Sequence, residues 1–116
     1  MIKQKINIIL DIGKTNVKLV LINQQGKVVK ELKTKQKLKK FKNKITYLDS
    51  IKIIDWLIKN LNKLSLKYKL FQFVCTTHGA TVALIDHNNE EIIASTDYEY
   101  QYDKFANDFK RITPSL

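Results

Sequence analysis

The sequence predicts an α/β domain with a mixed sheet, in the order β-β-β-α-β followed by a hairpin. Three observations predict it. The apolar run Ile6-Asn7-Ile8-Ile9-Leu10 is followed closely by a β-branched run, "VKLVLIN", from Val17 to Asn23. An apolar repeat at spacings of three and four occupies Ile51 to Leu64, and a further apolar run, "LFQFVCTT", lies beyond it. Short apolar runs bounded by turn residues read as strands, and a period near 3.6 reads as a helix.

Taken in order, Lys5 to Ile12 is apolar almost throughout and suits a strand buried on both faces. Val17 to Asn23 is the second strand, and "NQQG" turns the chain into a third, "KVVKELKT". Three successive antiparallel strands result. After a lysine-rich connection, "DSIKIIDWLIKNLNKL" places Ile51, Ile54, Leu57, Ile58, Leu61 and Leu64 on one stripe of an amphipathic helix. Ser50 is its expected N-cap. Asp49 and Asp55 lie near its start and Lys59 and Lys63 toward its end, as the helix dipole favours. Trp56 falls off that stripe, roughly opposite Ile54 and Ile58, so it either snorkels at the surface or packs under another element. In the strand "LFQFVCTT", Cys75 is expected in the core as a small hydrophobe. "ATVALID" and "EIIAST" form a hairpin across "HNNE", which leaves His87 exposed, and "YDKFANDFKRITPSL" adds a short helix that ends before Pro114.

Length sets the scale of these expectations: 116 residues suit one modest domain with little room for a large cleft. No stretch approaches the ~20 apolar residues of a membrane span, and the amino-terminal apolar run is short and soon interrupted by Asp11. A soluble, cytoplasmic protein with no membrane partner is expected. The single cysteine excludes an internal disulfide, and two histidines without a second thiol offer no zinc pattern.

The formal charge of +10 is the most conspicuous bulk property. Much of it lies between Lys27 and Lys44, where nine lysines accompany one acid, Glu31. The patch has no arginine and one aromatic, Phe41, whereas nucleic-acid readers rely on arginine forks and aromatic platforms. A solvated loop of biased composition is the reading preferred, and nucleic acid is not an expected partner.

The segment "DIGKTN", Asp11 to Asn16, closes the first strand. It is not a Walker A loop, because Ile8 stands where that motif needs a glycine. A strand-turn-strand loop can nevertheless present backbone N–H groups to an anion, with glycine permitting close approach. In such a site Asp11 would orient a hydrated Mg²⁺ while Lys14, Thr15 and Asn16 faced the phosphates. The same six residues also suit an ordinary tight turn in which Asp11 and Asn16 satisfy local backbone groups. His78 has two readings as well: a ligand of a sugar hydroxyl, or a histidine bonded to backbone at a strand end.

"ILDIGKTNVKLVLINQQGKVV", Ile9 to Val29, resembles the opening phosphate-binding hairpin of the FGGY carbohydrate kinases, relatives of actin and the Hsp70-type ATPases. "VCTTHGATVALIDHNNEEI", Val74 to Ile92, is similar to the family segment in which a His-Gly pair follows the fourth strand near the sugar pocket, and "TDYEY", Thr96 to Tyr100, resembles its continuation in some branches. The resemblance implies a ribonuclease H-like, actin-like ATPase fold, of which residues 1–116 form the opening part of the first domain. It implies phosphate contacts from Asp11, Gly13, Lys14, Thr15 and Asn16, with Mg²⁺ held through water by Asp11. Thr77, His78 and Gly79 match the sugar-side segment. ATP, Mg²⁺ and a sugar are the implied cofactors and substrate.

Many members have Thr where Lys14 stands. The family's catalytic aspartate, its second phosphate motif and its adenosine motif all lie beyond Leu116. The expected activity is ATP-dependent phosphorylation of a sugar hydroxyl, with the remainder of the kinase, contiguous or separately encoded, needed to complete the cleft. An inert phosphate-binding or nucleotide-binding module is the alternative, and behind it a basic nucleic-acid-binding protein, for which the lysine run is the only support. A partial domain of this kind leaves sheet edge and apolar helix surface uncovered, which predicts association when the chain stands alone.

Overall fold

The computed structural model describes residues 2–40, 46–79, 81–94, 96–97 and 103–112. Phe41, Lys42 and Lys44 of the lysine run, Ala80, Tyr98 to Tyr100 and Pro114 lie outside the described residues.

Strands β1 (Lys5–Ile12), β2 (Asn16–Asn23) and β3 (Val28–Lys35) form an antiparallel meander. Asn23 closes the second turn: its Oδ1 accepts the N–H groups of Gln25 at 3.0 Å and Lys27 at 2.9 Å, and Gly26 supplies the positive φ of 77°. A small hairpin, β4 (Leu38–Lys40) with β5 (Thr46–Leu48), precedes helix α1 (Ser50–Lys67). The chain then crosses back as β6 (Lys69–Thr77), which pairs parallel to β1 and completes a sheet of order β3-β2-β1-β6. A short hairpin, β7 (Leu84–Ile85) with β8 (Glu91–Ile93), and helix α2 (Asp103–Ile112) follow.

The expected order of elements holds, with one addition. The third strand lies where "KVVKELKT" predicted it, in β3, whereas the lysine-rich connection beyond it, expected to be a solvated loop, adds the short strand β4 up to Lys40. Pairing with β5 explains the addition. In β3, Leu32 and Thr34 turn toward the sheet's covered face while the lysines between them stay in water.

That covered face is the core. Ile6, Ile8 and Leu10 of β1 and Val17, Leu19 and Leu21 of β2 are buried together with Leu64 and Tyr68. Each such side chain contributes about 1.5–3 kcal/mol by leaving water. The opposite face of β1 is only half covered at Asn7 and Ile9, so the strand is not buried on both faces as its composition suggested.

Helix α1 lies on the core with Ile53, Trp56, Leu57, Leu61 and Leu64. Ile51, Ile54 and Ile58, assigned to the packing stripe from their spacing, are exposed. The helix is apolar on two sides, and Trp56 belongs to the sheet side. Its cap also differs: Asp49, not Ser50, is the N-cap, with its side chain accepting Lys52 N–H at 3.2 Å. Tyr68 closes the other end, its N–H reaching Leu64 O at 2.8 Å.

Among the described residues β6 pairs only with β1, so its other edge is open. Phe71, Phe73 and Val74 are about half exposed there. Cys75 is exposed as well, contrary to a core position, because the strand that carries it is an edge. Among the described residues, the outer edge of β6 and the Ile51, Ile54 and Ile58 side of α1 are both left exposed. No helix among the described residues is long and apolar enough to cross a membrane.

Candidate functional site

The parallel pair β1 and β6 ends with Ile12 beside Thr77. Both segments singled out from the sequence therefore emerge at one end of the sheet: the turn after β1 and the His-Gly pair after β6. Thr77 ties the two, its hydroxyl donating to Ile12 O at 3.1 Å. The carboxyl end of parallel strands is where open α/β sheets place their ligands.

The turn is tight. Gly13 N–H donates to Asn16 O at 2.9 Å, and a Cβ on Gly13 would stand 3.0 Å from that same oxygen. Glycine is required here by close approach. Gln36, just past β3, supports the turn from the side: its N–H donates to Thr15 O at 2.8 Å and its side-chain amide to Gly13 O at 3.0 Å. Thr15 is exposed, and neither its N–H nor its hydroxyl makes a hydrogen bond within the described residues.

Strand alternation sorts the remaining groups. Leu10 faces the core, so Asp11 projects from the opposite face of the sheet. Its cross-strand neighbours are Lys18 on β2 and Thr76 on β6, and Lys18 in turn stands opposite Lys33 on β3. Asn16 shares this face. Asp11, flanked by a lysine and a threonine, makes no side-chain hydrogen bond or ion pair among the described residues. The sequence reading missed Lys18, although its place two residues beyond Asn16, in a strand of period two, was a usable signal.

Lys14 turns elsewhere. Its amine lies 3.4 Å from Oδ1 of Asp97, whose side chain is only 10% exposed. Asp97 is held by β5: its N–H donates to Thr46 O at 2.9 Å, and its Oδ2 accepts the Thr46 hydroxyl at 3.2 Å. No local signal in the sequence marks Asp97 as a neighbour of the turn.

His78 is half-buried, with Nδ1 3.1 Å from Gly79 O and 3.3 Å from the Thr81 hydroxyl. Gly79 is exposed, and a Cβ there would meet nothing within 4 Å.

No protein-family model matches the chain, and no curated protein matches it. Solved structures do. A carbohydrate kinase from Novosphingobium aromaticivorans superposes with a TM-score of 0.76 at 23% identity, over 93% of this chain and 23% of its own. The fold is that of part of a carbohydrate kinase. Gluconate kinase from Lactobacillus acidophilus gives 0.75 at 21% identity over 93% of this chain. Plasmodium falciparum glycerol kinase gives 0.67 at 16% identity over 95%. This agrees with the actin-like ATPase fold that the FGGY resemblance implied. The chain spans 23% of the length of the first two and 24% of the third.

Proposed function

We propose that this chain supplies the phosphate-side turn and one wall of the sugar pocket of an ATP-dependent carbohydrate kinase, a cytoplasmic enzyme that transfers phosphate to a sugar hydroxyl. The observation that carries this reading is the convergence of the Gly13 turn and the His78-Gly79 pair at one end of parallel strands.

The residues present fit the implied groups. Thr15 offers an N–H and a hydroxyl with no protein acceptor among the described residues, which suits a phosphate oxygen. The Asp11 carboxylate, without a protein donor among them and beside Lys18, suits the water shell of Mg²⁺. When bound, MgATP would supply the phosphoryl group and neutralise its charge. In this role Gly13 and Thr15 position the phosphate chain, Asn16 and Lys18 add a donor and a charge on the Asp11 face, and Lys14 fixes the turn through Asp97. His78 and Thr77 stand on the sugar side, where the imidazole orients a hydroxyl.

One wall does not exclude water or complete the charge distribution, so activity requires the rest of a kinase, contiguous or separately encoded. The open edge of β6 supports this, because the remainder has a strand position to occupy. The test is sugar-dependent ADP release by the protein in its native association, across a panel of polyols and aldonic and ketose sugars. Sugar-dependent release that falls at least tenfold in Asp11→Asn is expected. Binding of MgATP without turnover for any sugar would instead assign an inert nucleotide-binding module.

A further inference from the structure

The carbonyl groups of the turn after β1 are mostly engaged by protein donors. Asn16 O accepts Gly13 N–H at 2.9 Å, Thr15 O accepts the backbone N–H of Gln36 at 2.8 Å, and Gly13 O accepts the Gln36 side-chain amide at 3.0 Å. Gln36 therefore holds two of these oxygens, one from its backbone and one from its side chain. Carbonyl oxygen repels an anion and N–H attracts it, so the direction of each peptide decides whether a turn can hold phosphate. The C=O and N–H of a trans peptide point opposite ways, and no peptide bond among the described residues is cis. With Gly13 O and Thr15 O facing Gln36, the N–H groups of Lys14 and Asn16 are directed away from it.

Nests that cradle anions commonly alternate right-handed and left-handed residues. This turn does not: among the described residues only Gly26 and Asn89 have positive φ, and both lie in other turns. Tethered carbonyls orient its peptides instead. The tether itself is fixed at both ends. Gln36 follows Lys35, which stands in register with Asn16 at the end of β3, and it closely precedes Leu38 of β4, which pairs with Leu48 of β5. Leu48 in turn adjoins Asp49, the N-cap of α1. A donor carried between two paired strands is in place before any ligand arrives. Its contact with Gly13 O is partly buried, where water competes less for the carbonyl. The small β4-β5 hairpin thereby gains a use that its own residues do not show.

We propose that Gln36 is a positioning residue for phosphate binding: by holding Gly13 O and Thr15 O it keeps carbonyl oxygen away from the phosphate chain and leaves that chain the N–H side of the turn. This role rests on the phosphate reading of the turn given above. Gln36 acts through the backbone of the turn and does not touch phosphate itself. Without the side-chain amide, the peptide after Gly13 is free to rotate and present its oxygen to the anion.

The test is calorimetric titration with MgATP, at fixed ionic strength, of the protein in its native association. Gln36→Met, of similar length and without a donor, should weaken MgATP about tenfold. Asn23→Ala is the control for a merely structural role. It removes the acceptor of the Gln25 and Lys27 N–H groups at the other end of β2, so it loosens the same hairpin without touching the Gly13 turn. Its affinity for MgATP should stay within about twofold of wild type, although its urea midpoint falls. Gln36→Ala replaces Gln36→Met should the latter fail to fold. Unchanged affinity in the Gln36 variant, or equal weakening by Asn23→Ala, overturns the role of Gln36 and leaves the phosphate reading standing. Absence of saturable MgATP binding in wild type is a different result, which removes the phosphate reading and this role with it.

Discussion

Lys14 and Asp97 meet at 3.4 Å, joining the turn after β1 to the segment after β8. The pair is mostly shielded from water, with side chains 26% and 10% exposed. A shielded pair is worth more than a surface one, yet burial of the carboxylate subtracts from the gain. In a double-mutant cycle of Lys14→Met and Asp97→Asn, a coupling of about 1 kcal/mol is expected from urea midpoints. Additive effects would show that the contact contributes nothing to stability.

Glycine is needed at one of the two sequence-marked positions. Gly13→Ala places a methyl 3.0 Å from a backbone oxygen that the turn's own hydrogen bond holds in place, so a loss of about 1–3 kcal/mol is expected. Gly79→Ala meets open space and should fall within about 0.5 kcal/mol of wild type. Denaturation curves of the two variants check the contrast, which equal losses would contradict.

Asp49 couples helix α1 to pH. Burial alone would raise its pKa, but the Lys52 N–H and the amines of Lys39 and Lys52 outweigh burial and hold it below the ordinary carboxylate value. The unfolded chain therefore takes up this proton more readily than the folded one. The stabilisation is fully present above the unfolded value of about 4 and is lost as pH falls through the lower folded value. Wild-type stability should drop below pH ~4 by more than that of Asp49→Asn, which keeps a cap but no charge. At neutral pH, Asp49→Ala should cost about 1–2 kcal/mol through loss of the cap. Urea midpoints measured from pH 7 down to pH 3 decide both points.

The open edge of β6 carries no charged residue from Leu70 to Thr77. Unprotected edges pair with other chains. The chain alone should self-associate in sedimentation velocity, and Val74→Lys, which puts a charge on the exposed edge, should return it toward monomer. A wild-type monomer at high concentration would count against an accessible edge.

Cys75 sits on the same strand and is exposed, so it reports on what covers it. A maleimide should label it readily in the isolated chain. In a complex with the remainder of a kinase paired along β6, labelling should slow by at least tenfold. Equal rates would mean that the partner docks elsewhere.

Much of this fold was legible in the sequence because its elements are set by local patterns. The short apolar runs of β1 and β2, the turn residues Asn23 and Gly26, and the run from Leu70 to Thr77 fixed type and order. Periodicity could not choose between two apolar sides of α1. Spacing assigned Ile51, Ile54 and Ile58 to the core, whereas packing chose Ile53 and Trp56. Composition likewise suggested a core position for Cys75, which only the pairing order of the sheet could deny.

The site divides the same way. The sequence by itself determined the tight turn at Gly13, the strand that feeds it and the His78-Gly79 pair, because each depends on a few adjacent residues. Tertiary structure alone decided that the two segments meet, that Lys18 stands beside Asp11 and that Lys14 turns to Asp97. Those relations depend on sheet register and on the seating of α1. Both follow from the summed burial of side chains distant in sequence, so no local pattern records them.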